Sequence, residues 1–409
     1  MHKKIIFKAV HLMLLIIIVL GMECNRVVVA TPGTIVVPSP GYETIQKAIN
    51  AANPGDAIRV TARTYYENLI VNKSVSIIGE DPATTIIDGG GLGNVVTITS
   101  PNVVVSGFTI QNGTQGEWPY CGISLFRCNF AVVNNTVLRN NYYGLQLIMS
   151  NNSRIFNNLI VNNSYAGMYI HDGSSNNVFF ENTIRDNLIG LWVTGAPSNT
   201  FYHNNIIDNV NQLWIDSPTT WDNGVEGNFW SDYAGVDLHS GPYQNETGSD
   251  GIGDSQYSIA GDRYPLMSIF TNFTFTYKSQ IYFLSTICNS TILNFQFDET
   301  NKKISFNVTG PNGTIGFCRT AMPVNHTVLV DDHAPSYFRN WTSSKNTYTY
   351  FTYEHTNVSL KVTVTLELSE GTTPPSSTNT LIVIAIIVVV AVVVSTIIVL
   401  RMRKKEKAG

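Results

Sequence analysis

Residues 152–187 read NSRIFNNLIVNNSYAGMYIHDGSSNNVFFENTIRDN, and this stretch decides the fold because its asparagines return at a fixed spacing. From Asn129 to Trp230 the pattern repeats about every 23 residues and contains three columns. The columns are Asn129, Asn152, Asn176, Ser198 and Asp222, then Asn135, Asn158, Asn182, Asn204 and Asn228, and then Asn140, Asn163, Asn187 and Asn209. A repeat of this length is typical of a solenoid in which each repeat forms one turn.

Apolar residues lie at fixed places between the columns, two residues apart, as in strands with one buried face. The residues expected to point inward are Val132, Ile155, Phe179, Phe201 and Val225, then Val137, Ile160, Ile184, Ile206 and Trp230, and in a third strand Ile123/Leu125, Leu145/Leu147, Met168/Ile170, Leu191/Val193 and Leu213/Ile215. Asparagine tolerates left-handed corners, and stacked amides can bond in a ladder. The repeat therefore predicts an all-β protein built on a right-handed parallel β-helix. A leucine-rich repeat is the alternative, but its Leu-x-x-Leu-x-Leu frame is absent.

Both ends of the chain carry apolar segments that predict export and membrane anchoring. Residues 1–30 have lysines before an apolar run, which is a signal-peptide layout, with an uncleaved anchor as the alternative. Leu381–Leu400 is twenty residues long without a charge, enough for one C-terminal transmembrane helix. The basic residues 401–409 predict a cytoplasmic tail, so the rest of this single-pass cell-membrane protein is expected to be extracellular.

The composition is typical of an exported protein. Charged residues make up 13% of the chain and the formal net charge is −4, which argues against nucleic acid as a partner. Asn-x-Ser/Thr sequons are frequent, and those after residue 270, where the repeat is absent, are the better candidates for glycosylation.

Cys121 and Cys128 would lie about 20 Å apart on an extended strand, too far for a disulfide. Cys288 and Cys318 fall in one domain and could form one.

Changes in composition divide the chain into six segments. They are a signal peptide at 1–30, the β-helix at 31–267, a domain at 268–369, a stalk at 370–380, the transmembrane helix at 381–400 and the tail at 401–409. Ile45, Ala48 and Ile49 recur at helical spacing, so a helix is expected to cap the first turn of the β-helix. Alternating strands separated by Gly-Pro turns predict that 268–369 is a small β-sandwich.

Two groups of motifs resemble a known family. The first group, Thr44–Ile49, Pro54-Gly55-Asp56, Tyr65–Asn68 and Ile77-Ile78-Gly79, is similar to the opening of NosD-type β-helix proteins, the carbohydrate-binding and sugar-hydrolase-like (CASH) solenoids. The second group, Gly227–Tyr233, Asp250–Asp254 and Asp262–Leu266, resembles the end of that domain in archaeal cell-surface proteins. Residues 289–366 resemble the β-sandwich module that follows it. Arg63 departs from the family, which usually has glycine there.

The resemblance implies a copper-related accessory role, as in NosD. Copper prefers clustered His, Met or Cys ligands. His171, His203 and His239 instead fall at different places in the repeat, and Met149 and Met168 are isolated. The sequence therefore favours surface histidines and core methionines.

Calcium is the metal that the sequence favours. Asp250 and Asp254 stand at turn spacing in Asp-Gly-Ile-Gly-Asp, with Asp237 near in sequence. Carboxylate oxygens are the ligands that calcium prefers. The loop lacks the full series of alternating carboxylates, so an ordinary Asp-Gly turn is the interpretation that the sequence favours over a calcium site. No other cofactor is expected.

Catalysis on one outer face is a further hypothesis. Asp186 and Asp208 occupy equivalent places in neighbouring repeats, so their carboxylates would lie about 5 Å apart, as in a two-carboxylate glycosidase. Arg185 and His171 belong to the same region of the repeat. The Asp-Asp and Gly-His-Gly motifs of polygalacturonases are absent, which favours solvated corner residues. A lyase, epimerase or hydrolase acting on polysaccharide stays the alternative to a protein without enzymatic activity.

The third strand also predicts a ligand-binding face. The residue between its two inward positions must point outward, and in successive repeats it is Ser124, Gln146, Tyr169, Trp192 and Trp214. The next outward positions add His171 and Asp216. Three aromatic side chains on strands 4.8 Å apart would form a row about 10 Å long. Such a row suits a polysaccharide, whereas covering by the C-terminal domain or another subunit is the alternative. Cell-envelope proteins are the other partners that such a face could contact. The sequence thus predicts a protein that binds glycans or surface partners, or that supports the envelope.

Overall fold

The computed structural model describes residues 32–113, 120–343 and 345–368. The predicted signal peptide, stalk, transmembrane segment Leu381–Leu400 and basic tail lie outside these residues. Among the residues that are described, no helix is long and apolar enough to cross a membrane. They form β-structure with one short helix, which confirms the all-β prediction.

The helix, α1, spans Ile45–Ala51. The strands of the repeat region are β1 Thr34–Val37, β2 Ala57–Val60, β3 Arg63–Tyr66, β4 Leu69–Val71, β5 Ser76–Gly79, β6 Thr85–Asp88, β7 Val96–Ile98, β8 Val104–Ser106, β9 Thr109–Gln111, β10 Cys121–Phe126, β11 Val132–Asn134, β12 Val137–Arg139, β13 Tyr143–Ile148, β14 Arg154–Phe156, β15 Leu159–Val161, β16 Ala166–His171, β17 Val178–Phe180, β18 Thr183–Arg185, β19 Ile189–Val193, β20 Thr200–Tyr202, β21 Asn205–Ile207 and β22 Asn211–Ile215. The remaining strands are β23 Phe229–Trp230, β24 His239–Ser240, β25 Glu246–Thr247, β26 Ile269–Tyr277, β27 Gln280–Cys288, β28 Thr291–Asp298, β29 Lys303–Thr309, β30 Ile315–Met322, β31 His326–Val330, β32 Tyr337–Thr342, β33 Thr347–Glu354 and β34 Leu360–Leu366.

The chain divides into two compact units. Unit 1 contains the residues up to Thr200 together with Asp208–Thr219, and unit 2 contains Phe201–Ile207 together with the residues from Thr220 onward. The sequence placed the start of the β-sandwich at residue 268, and the long antiparallel strands begin with β26 at Ile269. Each unit is described separately below.

Unit 1 is a parallel β-helix with three sheets. In spatial order, sheet 1 contains β1-β2-β5-β8-β11-β14-β17, sheet 2 contains β3-β6-β9-β12-β15-β18, and sheet 3 contains β4-β7-β10-β13-β16-β19-β22. Neighbouring strands are parallel and in register, with Ile155 opposite Phe179 and Ile160 opposite Ile184. Each turn of the chain therefore adds one strand to every sheet, as the repeat predicted.

Helix α1 begins at the N-cap Thr44, whose side chain accepts the backbone N–H of Lys47. Its buried residues are Ile45, Ala48 and Ile49, the three that recur at helical spacing in the sequence. The helix contacts β1, β2 and β4, which are the first strands of unit 1. This placement agrees with the predicted cap on the first turn.

Most residues of the inward columns are buried as expected, although one turn has an error of register and Leu213 and Ile215 are only partly buried. Ile155, Phe179, Ile160 and Ile184 are fully buried. In the preceding turn, however, the buried residues are Val133 and Leu138, so Val132 and Val137 were wrong. Val225, also expected inside, is exposed.

Unequal turn lengths cause the error. Thr136 and Asn158 hold equivalent places 22 residues apart, and Asn158 and Asn182 hold equivalent places 24 residues apart. Counting back 23 residues from Ile155 therefore gives Val132, whereas the equivalent residue is Val133, 22 residues back. In a strand, a shift of one residue exchanges the buried face for the exposed one.

Asn158 and Asn182 form the predicted amide ladder in unit 1. Asn158 Nδ2 donates to Asn182 Oδ1 at 2.9 Å and to the Val133 carbonyl at 3.0 Å. Asn135 is wrong as the preceding member, because it is exposed and has a φ of 47°. Thr136 holds that place and donates its backbone N–H and its hydroxyl to Asn158 Oδ1. Each such corner uses a left-handed residue followed by a buried ladder residue.

Two further ladders follow the same rule. Asn163, Asn187 and Asn209 were read correctly from the sequence, whereas Asn141 and the whole of the other ladder lie one residue after the columns. The ladder residues are Asn141, Asn163, Asn187 and Asn209 at one corner, and Ser153, Asn177 and Asn199 at another. Asn140, Asn152, Asn176 and Ser198 instead have positive φ values and form the turn itself. The ladders satisfy buried backbone groups that the short strands leave unpaired.

Glycine at the start of the third strand allows adjacent turns to pack closely. A Cβ on Gly144 would lie 2.7 Å from the Gly167 carbonyl oxygen and 2.7 Å from Ile160 Cγ2. A Cβ on Gly167 would meet the Gly190 carbonyl oxygen and Ile184 Cγ2 in the same way. Any larger residue at these places would push successive turns apart.

Asn204 and Asn228, the other two members of the predicted ladder, belong to unit 2. Asn204 Nδ2 donates to Asn228 Oδ1 at 2.8 Å. Asp262 ends this ladder, because its Oδ2 accepts the Asn228 backbone N–H at 2.8 Å and the Trp230 indole N–H at 3.0 Å. Burial raises the pKa of Asp262 to about 6 despite these donors. The closing motif of the sequence thus caps the amides with a carboxylate.

Unit 2 also contains two antiparallel sheets. One has the order β26-β27-β30-β33-β32 and the other has the order β28-β29-β34-β31. A single apolar core joins residues of both sheets, including Tyr282 and Phe351 from the first and Phe306 and Val362 from the second. This arrangement is the predicted small β-sandwich.

Candidate functional site

Sheet 3 carries one column of side chains on the outside of unit 1. By strand register its members are Thr97, Ser124, Gln146, Tyr169, Trp192 and Trp214. At a strand spacing of 4.8 Å the column is about 24 Å long. Its first half is polar and its second half is aromatic.

The aromatic half is a continuous ring stack, which we call the ring row. The ring centroids of Tyr169 and Trp192 are 4.3 Å apart, and those of Trp192 and Trp214 are 4.7 Å apart. The interplanar angles of 26° and 16° mean that adjacent rings cover each other's faces. The row therefore presents ring edges along its length, rather than three open faces. Trp214 ends the row and is 54% exposed, so it carries the accessible platform.

Three tyrosines support the ring row, and the sequence analysis missed them. Tyr142 and Tyr165 stack at 5.1 Å, and Tyr143 lies 5.0 Å from Tyr169. Tyr165 also lies 5.6 Å from Trp192. Each aromatic pair of this kind contributes about 0.5–1.5 kcal/mol beyond the area that it buries. Their position just before the glycines of the third strand was a signal that could have been read.

Asp216 lies two residues after Trp214, on the same outward side, and is held in place by three donors. Gly195 N donates to its Oδ1 at 2.9 Å, Ser217 Oγ donates to the same oxygen at 2.7 Å, and Thr194 Oγ1 donates to its Oδ2. These hydrogen bonds, the one from Thr194 above all, lower the pKa of Asp216. The exposed carboxylate is therefore charged at neutral pH and has acceptor positions left.

His171 stacks against the first ring of the ring row and does not join a charged cluster. Its ring stacks on Tyr169 at 4.0 Å. Gln146 Nε2 lies 3.1 Å from His171 Nε2, and Asp172 Oδ2 lies 3.2 Å from His171 Nδ1. Burial lowers the pKa of His171, and the nearby Asp172 offsets only part of this effect. The amide of Gln146 therefore donates to a neutral ring that carries its proton on Nδ1.

A pocket of about 300 Å³ opens at the polar half of the column. Thr97, Ser124 and Gln146 line it, together with Asn94 and Tyr120 from outside the column. Because Gln146 also contacts His171, the pocket and the ring row form one continuous surface. This volume is at the lower end of those seen for small-molecule sites.

The three aspartates considered as calcium ligands lie together in unit 2, and N–H groups donate to their oxygens. Gly251 N donates to Asp237 Oδ2 at 2.7 Å and Asp250 N donates to Asp237 Oδ1 at 3.1 Å. Asp254 accepts the backbone N–H of His239. Burial, aided by the nearby carboxylates of Asp250 and Asp254, raises the pKa of Asp237 to about 7. Across residues 32–113, 120–343 and 345–368, no group of three or more His, Cys, Asp and Glu could hold a metal ion. This geometry favours the hydrogen-bonded turn over a calcium site.

The pair of aspartates considered for catalysis lies at exposed corners. Asp186 has a φ of 57° and Asp208 a φ of 50°, so both take the left-handed turn conformation. Arg185 forms an ion pair with Asp186. His171 is engaged by Gln146 and Asp172 instead. The structure therefore gives these residues the corner role.

Parallel sheets that wind around an apolar core, with amide ladders at the corners, define a parallel β-helix protein. The family described as periplasmic copper-binding protein (NosD) matches residues 41–235. This part of the chain is a NosD-type right-handed β-helix domain. No curated protein matches the chain.

Solved structures of other proteins show distant likeness. The alginate lyase from Paenibacillus sp. str. FPU-7 is 16% identical, with 48% of this chain and 64% of that chain covered and a TM-score of 0.32. The pectin methylesterase from Aspergillus niger is 16% identical over 49% of this chain and 75% of that chain, with a TM-score of 0.32. ORF18 of Geobacillus virus E2 is 13% identical over 81% and 76%, with a TM-score of 0.35. The chain thus spans less than two thirds of the alginate lyase, and these values carry no information about function.

The family name includes copper, but the histidines and methionines that the structure describes are not arranged to bind it. His203 Nε2 faces Glu226 at 2.5 Å and His239 Nδ1 faces Asp254 at 2.8 Å. Met168 is fully buried in the core. Among the described residues, no group of three or more His, Cys, Asp and Glu could hold a metal ion, so the imidazole and thiolate cluster that copper prefers is absent there.

Proposed function

We propose that the outer face of sheet 3 binds a neutral glycan. The observation that carries this proposal is the exposed ring of Trp214 at the end of a fixed stack, beside the ordered carboxylate of Asp216. A pyranose offers an apolar C–H face and a rim of hydroxyls. The ring supplies the apolar platform, and the carboxylate supplies a charge-assisted hydrogen-bond acceptor.

The charge beside the platform supports a neutral ligand. Asp216 is ionised at neutral pH because Thr194, Ser217 and Gly195 donate to it. A carboxylated sugar stacked on Trp214 would meet this like charge, which costs binding free energy. A neutral sugar instead exchanges its hydration for a hydrogen bond to the carboxylate.

The length of the column supports an oligosaccharide rather than a single sugar. The column extends about 24 Å from Trp214 to Thr97, which is longer than one pyranose ring. The pocket lined by Thr97, Ser124 and Gln146 offers polar groups at the far end. Edges of the ring row separate the two ends, so a bound oligosaccharide would cross them.

Trp214→Ala is expected to weaken glycan binding at least tenfold, which corresponds to about 1.4 kcal/mol. The reason is that the variant loses the stacking platform without changing the core, since the side chain points outward. A glycan array first identifies a neutral glycan to which the full-length protein binds. Isothermal titration calorimetry with that glycan then measures the change in affinity. Trp341→Ala is the matched control, because Trp341 is a half-buried tryptophan stacked on Tyr348 in unit 2. Equal loss in both variants, or unchanged binding by Trp214→Ala, contradicts the proposal.

We further propose that the chain is exported and held in the cell membrane by Leu381–Leu400. The charge-free length of this segment and the basic residues 401–409 support the proposal. Glycan binding by an exposed face is consistent with an extracellular position of residues 31–369.

Protease added to intact cells is expected to degrade residues 31–369 and to leave the tail, residues 401–409, protected. Tags placed at the two ends of the mature chain and read by immunoblotting report the outcome. The reverse pattern, with a protected main part, would show the opposite orientation. Release of the full-length protein from membranes by salt alone would refute the anchor.

A further inference from the structure

Two cysteines of the β-sandwich lie directly opposite each other on neighbouring strands. Cys288 ends β27 and is the register partner of Cys318 in the antiparallel strand β30. Both are thiols in the structure, and both side chains are buried in the core between the two sheets. Strands β28 and β29 lie between the two cysteines in the sequence and belong to the opposite sheet.

The hydrogen bonds around the pair identify its type. The backbone N–H of Asn289 donates to the Phe317 carbonyl, so Asn289 and Phe317 form a hydrogen-bonded pair. In an antiparallel ladder such pairs alternate with non-hydrogen-bonded pairs. Cys288 and Cys318 are therefore a non-hydrogen-bonded pair, and the Cys288 carbonyl instead accepts a hydrogen bond from Ser268 Oγ.

Non-hydrogen-bonded pairs bring side chains closest across a sheet. Their α-carbons are about 4.5 Å apart, which falls within the 4.4–6.8 Å range that a disulfide needs. The buried pair Cys121 and Cys128 provides a contrast, because Cys121 begins strand β10 and Cys128 follows its end, so the two residues do not lie opposite each other. Strand register alone thus distinguishes the two pairs.

We propose that Cys288 and Cys318 form a cross-strand disulfide when the exported chain folds in the presence of a disulfide oxidant. One cysteine thiolate attacks the oxidant disulfide, which gives a mixed disulfide and releases one oxidant thiol. The thiolate of the other cysteine then attacks the mixed disulfide and releases the second oxidant thiol. Two protein thiols lose two electrons and two protons, and the oxidant disulfide is reduced to two thiols.

The bond forms while β27 and β30 pair and before the core closes. Both side chains are buried in the folded core, where an oxidant disulfide does not reach them, and burial also raises the pKa of the Cys318 thiol. Once formed, the bond closes a loop that contains β28 and β29. This loop restricts the conformations of the unfolded chain and so stabilises the fold.

The test refolds the reduced full-length chain with oxidised glutathione, blocks remaining thiols with N-ethylmaleimide in denaturant, and maps the peptides by mass spectrometry. The expected result is a linked peptide pair that contains Cys288 and Cys318, with two fewer hydrogen atoms than the separate peptides. Cys121 and Cys128 serve as internal controls and should carry the maleimide. Maleimide on Cys288 and Cys318 to the same extent as on the controls overturns the proposal.

A second measurement does not depend on peptide recovery. Reductant should lower the melting temperature of the oxidised protein by at least about 5 °C, as expected for a bond that closes a loop of this size. The same reductant should have no effect on the double variant Cys288→Ala/Cys318→Ala. An equal effect on both proteins would show that the bond is elsewhere.

Discussion

Glu226→Ala is expected to lower the free energy of unfolding by about 3–5 kcal/mol, because it leaves a buried charge without its partner. Arg319 is 2% exposed, and its Nη2 donates to Glu226 Oε1 at 2.5 Å. The other carboxylate oxygen lies 2.5 Å from His203 Nε2. In the variant the guanidinium keeps the distant Asp250 carbonyl, at 3.4 Å, as an acceptor. Urea denaturation followed by circular dichroism measures the change.

The matched control is an ion pair at the surface of unit 2. Glu246 Oε2 lies 3.3 Å from Arg339 Nη2, and the Glu246 side chain is 62% exposed. Solvent screens such a pair, so Glu246→Ala should cost less than about 1 kcal/mol. Similar costs for the two variants would show that burial of the Arg319–Glu226 pair does not determine its contribution.

The buried Arg319–Glu226 pair also makes the free energy of unfolding depend on pH, with a sign that follows from the pKa of Glu226. Burial alone would raise the pKa of Glu226, but Arg319 and His203 hold it at about 2, below the ordinary 4.5. A carboxyl with a lowered folded pKa contributes stability above its unfolded pKa and loses that contribution as the pH falls. Wild type should therefore lose more stability than Glu226→Gln between pH 4.5 and 2.

Asn158→Ala is the second substitution with a large expected effect, about 2–4 kcal/mol. Its amide accepts two hydrogen bonds from Thr136 and donates to Val133 O and Asn182 Oδ1. Alanine leaves these groups buried without their partner, in a core that water does not reach. Thermal and urea denaturation of the full-length protein report the loss.

Asn157→Gly is the control for the ladder variant. Asn157 is the exposed neighbour of Asn158 and has a φ of 53°, a conformation that glycine adopts without strain. Its replacement should change the free energy of unfolding by less than about 0.5 kcal/mol. A loss as large as that of Asn158→Ala would mean that the corner turn, and not the amide ladder, stabilises the β-helix.

Much of the fold could be predicted from the sequence because the repeat imposes the same environment on equivalent residues. Ile160 and Ile184 were placed correctly, since strand alternation and a regular period leave them one buried side. Asn135 was placed wrongly, because individual turns have 22 or 24 residues and a mean period cannot locate the corner. Hydrogen-bond partners, rather than residue type, distinguish a ladder asparagine from a turn asparagine.

Less of the candidate site could be predicted. Strand alternation placed Tyr169, Trp192 and Trp214 on one outer face, and the structure brings them together. It could not show that the rings stack face to face, because this depends on side-chain rotamers. Spacing along the chain likewise suggested oxygen ligands at Asp237 and Asp250, whereas the fold assigns backbone N–H groups to Asp237. Contacts between distant segments determine both outcomes.

The central claim is that the end of the ring row is a glycan-binding platform, and a structure of the protein with a bound neutral oligosaccharide tests it most directly. The account predicts one pyranose stacked on the exposed face of Trp214, with a hydroxyl about 2.5–3.0 Å from an Asp216 oxygen. A glycan bound elsewhere on the protein, with Trp214 left in solvent, would contradict it.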